Sequence, residues 1–186
     1  MLGRLSSGLY RYVNWKWVVV ATIVFGCFIA FVLPWQAEKS KEATGGGESP
    51  DSSFLYSADD LYRVAEHYGE SGRSAYIQAR FTFDMIWPLV YLFLLVVSIS
   101  MLYRVLPVTS RWRWINLLPF MGWGMDMLEN LGASLVMFRY PERTSVIAEL
   151  TPVFTLLKWC IIYASFAVLV PGIVIMVVHY LRKRKV

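Results

Sequence analysis

The sequence predicts an all-α integral membrane protein in which four transmembrane helices form an up-and-down bundle, with a short amphipathic helix in a long external first loop. Three observations predict it. Of 186 residues, 57% are hydrophobic and 17% charged, too apolar a balance for an ordinary soluble domain. Four apolar stretches, at about 15–35, 81–103, 114–138 and 151–180, are each long enough to cross a hydrocarbon core of ~30 Å, which takes roughly 20 helical residues. The basic residues gather in alternate connections. Few residues remain outside the four stretches, so a single membrane domain over 1–186 is expected.

The first stretch follows Arg4, Arg11 and Lys16 as a signal peptide would. Its apolar run is longer than a signal core, and Pro34-Trp35-Gln36-Ala37 lacks a small residue at the position a cleavage site needs, so it reads as a retained helix. Residues 38–53 are rich in Gly, Ser, Pro and charge and read as a flexible external linker. Ser57 and Asp60 form an N-cap signature, and Leu61, Val64, Ala65 and Tyr68 recur at helical spacing. A short helix over 57–70 is therefore expected, ending near Gly69 or Gly72, with its apolar face on the membrane or over the outer mouth of the bundle.

The second stretch carries Asp84 about one turn below Arg80, with Trp87, Pro88 and Tyr91 on the same side. Pro88 has no N–H, so the Asp84 carbonyl loses its usual helical partner. The third stretch places Asp126, Glu129 and Asn130 on one face together with Gly122 and Ala133, whose small side chains let a neighbouring helix approach. In the fourth, Thr151, Thr155, Lys158 and Ser165 share a stripe. Thr151-Pro152 reads as its cap and first helical position, a turn over 145–150 extends it outward, and Pro171-Gly172 predicts a kink. The short connections 104–113 and 139–149 make neighbouring helices antiparallel.

Orientation follows from charge. Arg4, Arg11 and Lys16, then Arg104, Arg111 and Arg113, then Arg182, Lys183, Arg184 and Lys185 lie in regions free of acids. Both termini and the second loop are expected on the cytoplasmic side of a plasma or inner membrane. The net charge of +5 reflects this asymmetry, and the basic tail reads as an orientation signal in contact with lipid headgroups, not as a nucleic-acid site. Cys27 and Cys160 are far apart, form no Cys-x-x-Cys pair and read as small buried packing residues.

The polar residues inside apolar stretches are the functional lead, because a charge at bilayer depth persists only with partners or water. Counting 1.5 Å per residue from the outer ends puts Lys158 level with Glu129, with Asp126 one turn deeper and Asp84 shallower. Lys158 is thus the expected counter-ion of Glu129 or Asp126. One cation cannot neutralise three carboxylates, so the remainder must hold a proton, an ion or a cationic ligand. The expected ligand-binding set is Asp84, Trp87, Tyr91, Asp126, Glu129, Asn130 and Lys158, around an outward-opening pocket for a small amphiphilic or lipid-like molecule. Asp126 and Glu129 are alternatively candidates for general acid–base catalysis on such a substrate. A third reading is an accessory or assembly subunit whose polar face meets a partner protein or a second copy.

His67 falls in the external helix and His179 at the cytoplasmic end, and no Cys–His cluster exists, so no metal site and no cofactor are expected. Ser134 and Ser165 lack a His partner, and no glycine-rich phosphate loop is present. Leu117, Leu118, Phe120 and Met121, below Asp126, are apolar and argue against a complete ion pathway. In its cytoplasmic ends, long external first loop and intramembrane carboxylates, including Asp84 near the outer end of the second helix, the layout resembles the sterol-isomerase-like and sigma-2-receptor-like four-helix membrane proteins. The resemblance implies a carboxylate-lined intramembrane pocket. Met125-Asp126-Met127-Leu128-Glu129-Asn130 matches no signature of that family, and no residue role carries across.

Overall fold

The computed structural model describes residues 2–46, 49–50 and 53–184, which are helical almost throughout and contain no strand. Three segments, Trp15–Ala43, Ala58–Tyr103 and Ser145–Lys183, are long and apolar enough to span a membrane.

The chain opens with a helix that the apolar-run criterion does not find, α1 (Leu2–Tyr12). It packs on a 3₁₀ helix at Arg111–Leu117 through polar contacts. Ser6 Oγ donates to Asn116 Oδ1 at 2.8 Å, Asn116 Nδ2 donates to Ser100 Oγ at 3.2 Å, and the Tyr10 hydroxyl donates to the Arg113 carbonyl at 2.7 Å. Burial pushes the Tyr10 phenol up to about 12, against the opposing pull of the Arg113 guanidinium 3.9 Å over its ring.

The first apolar stretch is α2 (Trp15–Cys27), a π turn at Phe28–Val32 and α3 (Leu33–Ala43). The Asn14 side chain caps α2 by accepting from the Lys16 N–H. Pro34 cannot donate within the ladder, and the wide turn just before it, in which the Leu33 N–H reaches back to Phe28, absorbs the interruption. Helix therefore continues through residues 38–43, which had read as linker; Glu38, Lys39, Lys41, Glu42 and Ala43 are all good helix formers. Of the remaining linker, residues 47–48 and 51–52 lie outside the described residues.

Helix α4 (Ala58–Phe81) starts with a complete capping box between Ser57 and Asp60. It bends at Gly69, whose φ of 60° is a left-handed conformation that favours glycine. The helix does not stop there, as the 57–70 reading expected, but resumes to Phe81, because one glycine interrupts only a single turn. Leu61, Tyr62, Ala65 and Tyr68 on its apolar side share a core with Ala133, Val136, Met137 and Ala148.

Thr82, with φ −120° and ψ −80°, separates α4 from α5 (Phe83–Tyr103). The third stretch becomes α-helical only at α6 (Leu118–Arg139), four residues later than its hydropathy suggests, because Pro119 fits the first turn of a helix and not its interior. Helix α7 (Ser145–Ala167) begins before Thr151-Pro152, so Pro152 is interior and Thr151 is not a cap. Thr151 Oγ1 instead donates to the Ile147 carbonyl at 2.7 Å. The chain breaks at Val168 before α8 (Leu169–Lys183), where Pro171 cannot bond back to Ala167. The neighbouring Val168 carbonyl accepts from the Gly172 N–H at 3.2 Å and from the Tyr103 hydroxyl at 2.8 Å, which ties the break to α5. Cys27 and Cys160 are both exposed, contrary to the buried packing role expected of them.

Helix α5 lies among α2, α6 and α8, and α6 runs antiparallel along α7. Two glycines set that seam. A Cβ at Gly122 would stand 3.2 Å from Ile162 Cγ1, and one at Gly132 would collide with Thr151 Oγ1. Gly132→Ala is expected to lower the thermal unfolding midpoint, by about 1–3 kcal/mol of overpacking. Adding Thr151→Ala should restore part of it. Equal midpoints for wild type and Gly132→Ala would show that the seam is looser than described.

Candidate functional site

The close pairs Gly122/Ile162 and Gly132/Thr151 belong to the register of α6 against α7 that sets Asp126 and Glu129 opposite Lys158. Lys158 Nζ lies 2.5 Å from Glu129 Oε2 and 3.6 Å from Asp126 Oδ1. From α5, the Tyr91 hydroxyl donates to Asp126 Oδ2 at 2.7 Å. The two oxygens of Asp126 thus face different partners. All three charged residues are buried, at 4% exposure for Lys158, 1% for Glu129 and 6% for Asp126.

A second cluster sits toward α4. Arg80 is buried, and its Nη1 lies 3.0 Å from Asp84 Oδ2 and donates to Asn130 Oδ1 at 3.2 Å. Its Nη2 donates to Ser49 Oγ at 2.9 Å, and the guanidinium lies 4.4 Å over the Tyr76 ring. This corrects the balance of buried charge. Asp84, counted among the three carboxylates that one cation could not neutralise, has its own cation one helical turn away, and two cations now face three carboxylates. The Arg80–Asp84 spacing of four residues is visible in sequence; the burial of Arg80 beneath the linker is not.

Asn130 has a structural part distinct from the ligand contact expected of it. Its Nδ2 donates at 3.4 Å to the Asp84 carbonyl, the group left without a helical partner by Pro88. A side chain from α6 replaces the missing backbone donor of α5. That carbonyl is thereby engaged.

Between the two clusters lies a cavity of about 150 Å³ whose wall includes Arg80, Asp84, Trp87, Pro88, Tyr91, Asp126 and Lys158. Glu129 and Asn130 are outside its lining, in contact with Lys158 and Arg80 respectively. The remaining wall comes from Phe25, Trp159, Ile162 and Phe166, none of them in the expected set. These are ordinary apolar positions in sequence, and only the packing of α2 and α7 around α5 turns them inward. Trp87 stacks against Phe25 at 5.5 Å and Phe28 at 6.1 Å, and Phe25 approaches Phe166 at 6.2 Å. On the outer side of α7, Phe54 stacks on Trp159 and Tyr163, and the Tyr56 hydroxyl lies 2.9 Å from Thr155 Oγ1.

The chemistry on offer is a small cavity whose wall combines charged groups with aromatic rings. Its volume is that of about five waters at ~30 Å³ each. Pockets that enclose a whole drug-sized molecule hold roughly 300–1,000 Å³, so this one suits the polar end of a larger molecule. Comparison with protein-family models, with curated proteins and with solved structures finds no match for this chain.

Breaking a buried ion pair by removing one partner typically costs about 3–5 kcal/mol, because the other charge stays buried. Lys158→Met is therefore expected to destabilise the protein more than Lys158→Met combined with Glu129→Gln. A thermal-shift double-mutant cycle reads the coupling, and additive effects would place the two groups out of contact.

Proposed function

We propose that the chain is a four-span membrane protein that binds the polar end of a small amphiphilic, lipid-like ligand in the cavity at Asp126. Helix α6 is the fourth crossing. Its acids face inward, while Met121, Leu128, Leu131, Leu135 and Phe138 are exposed, so the surface it would offer to lipid is apolar. The distribution of basic residues supports cytoplasmic termini, with α4 and the linker on the outer face of a plasma or inner membrane. In this reading the chain is one membrane domain, and the apolar side of α4 covers the outer ends of α6 and α7.

The observation that carries the ligand reading is the cavity itself, with Asp126, Lys158, Arg80 and Asp84 at its wall together with aromatic side chains. A purely structural salt-bridge network needs no space beside it. The geometry also separates two acids that the sequence left equivalent. Asp126 lines the cavity, while Glu129 pairs with Lys158 outside the lining. The same separation supports an enzymatic variant, in which Asp126, bonded to Tyr91, exchanges a proton with a bound lipid-like substrate. The accessory-subunit reading finds little support, since Asp126, Glu129 and Asn130 are all buried and leave no polar face for a partner helix.

Mass spectrometry of amphiphiles that co-purify with the protein tests the proposal. Asp126→Asn keeps an oxygen for Tyr91 and leaves Lys158 with Glu129, so the fold is expected to persist. Retention of the co-purifying molecule should fall about tenfold or more, corresponding to ~1.4 kcal/mol or more of binding. A folded Asp126→Asn protein carrying the same molecule in the same amount would rule the pocket out as its site.

A further inference from the structure

A second cavity, of about 700 Å³, lies where the C-terminal half of α8 passes the connection that follows α5. Leu106, Val174 and Val178 supply apolar wall, and His179, Arg182 and Lys183 supply the basic end. From Val174 to Arg182 is eight residues, or ~12 Å of helix at 1.5 Å each. That is most of one leaflet of a hydrocarbon core of ~30 Å. The groove therefore runs from headgroup level at Arg182 into the depth of the acyl chains.

Charge identifies the occupant. No acidic residue occurs in the sequence from Thr151 to Lys185, nor from Arg104 to Met125 on the connection alongside. The cations at the lip face no carboxylate from either segment, while the wall below them is apolar. Inorganic phosphate would use the lip and leave the wall empty; a neutral lipid would use the wall and leave the charges without a partner. An anionic phospholipid satisfies both.

We propose that this groove is a binding site for an anionic glycerophospholipid, with its phosphate on Arg182 and Lys183 and one acyl chain along Leu106, Val174 and Val178. The site is separate from the carboxylate cavity. It shares with the proposed function only the membrane crossing of α8.

The test is native mass spectrometry of the purified full chain titrated with phosphatidylglycerol or phosphatidylcholine. Each basic residue near a membrane surface contributes enough for about a fivefold preference. Wild type should retain phosphatidylglycerol over phosphatidylcholine, and Arg182→Gln/Lys183→Gln should lower that preference about tenfold or more. Val178→Trp, which fills the groove and keeps every charge, should also lose the lipid. Asp126→Asn should keep it, whatever becomes of the other ligand. Unchanged retention in Arg182→Gln/Lys183→Gln overturns the proposal, as does unchanged retention in Val178→Trp, which would mean attraction by charge without a groove. Displacement of the lipid by millimolar inorganic phosphate overturns it as well, since the occupant would then be a free anion.

Discussion

Lys158 places the strictest demand on this structure, because its ammonium is enclosed among helices and must be compensated there. Removing one such ion from water costs several kcal/mol even after the protein relaxes. An opposite charge ~4 Å away returns about 4 kcal/mol at an effective dielectric of 20. Glu129 alone would leave the pair near balance, with the carboxylate's own desolvation still to be met. Asp126 adds a second acid to Lys158, and Tyr91 engages the oxygen of Asp126 that the ammonium does not reach. These groups come from three helices, so α5, α6 and α7 must keep one register. The glycines at either end of the α6–α7 seam allow that register by letting the backbones close in.

Arg80 and Asn130 extend the same logic outward. Pro88 deprives α5 of one backbone donor, and the Asn130 amide supplies a replacement while its carbonyl oxygen receives Arg80. A defect in one helix is thus repaired by a side chain of another. The cavity lies between this cluster and the Lys158 cluster, and the polar groups around it are tied back to rigid elements. Such preorganisation favours a ligand whose polar end fits the existing arrangement over one that must rearrange it.

The positions of the acids were legible in sequence for a simple reason. A helix rises by a fixed amount and antiparallel neighbours count depth from the same side, so Lys158 could be set level with Glu129 without coordinates. The face shared by Asp126, Glu129 and Asn130 followed from helical periodicity alone. Arg80 was visible beside Asp84 but not as a buried cation, because its other partners, Asn130 and Ser49, come from a distant helix and from a polar linker whose path no local pattern specifies. Helix α1 escaped because its contacts with Asn116 and Arg113 are polar and distant in sequence. Helix ends moved wherever proline or glycine governs a single turn, as at Pro34, Gly69 and Pro119. The aromatic part of the cavity wall was hidden for the opposite reason: Phe25 and Phe166 look like any lipid-facing residues until two helices converge on α5.

The hydrogen bond from Arg80 to Ser49 also bears on traffic. Arg80 lines the cavity on one side and holds the linker on the other, so a molecule leaving past it would have to part the guanidinium from Ser49, Asn130 and Asp84 together. Phe25 and Phe166, also in the cavity wall, touch through their rings, which can rotate without exposing an unsatisfied polar group. On the proposed ligand reading, leaving past Arg80 would therefore break three polar contacts, while leaving past the rings would break none.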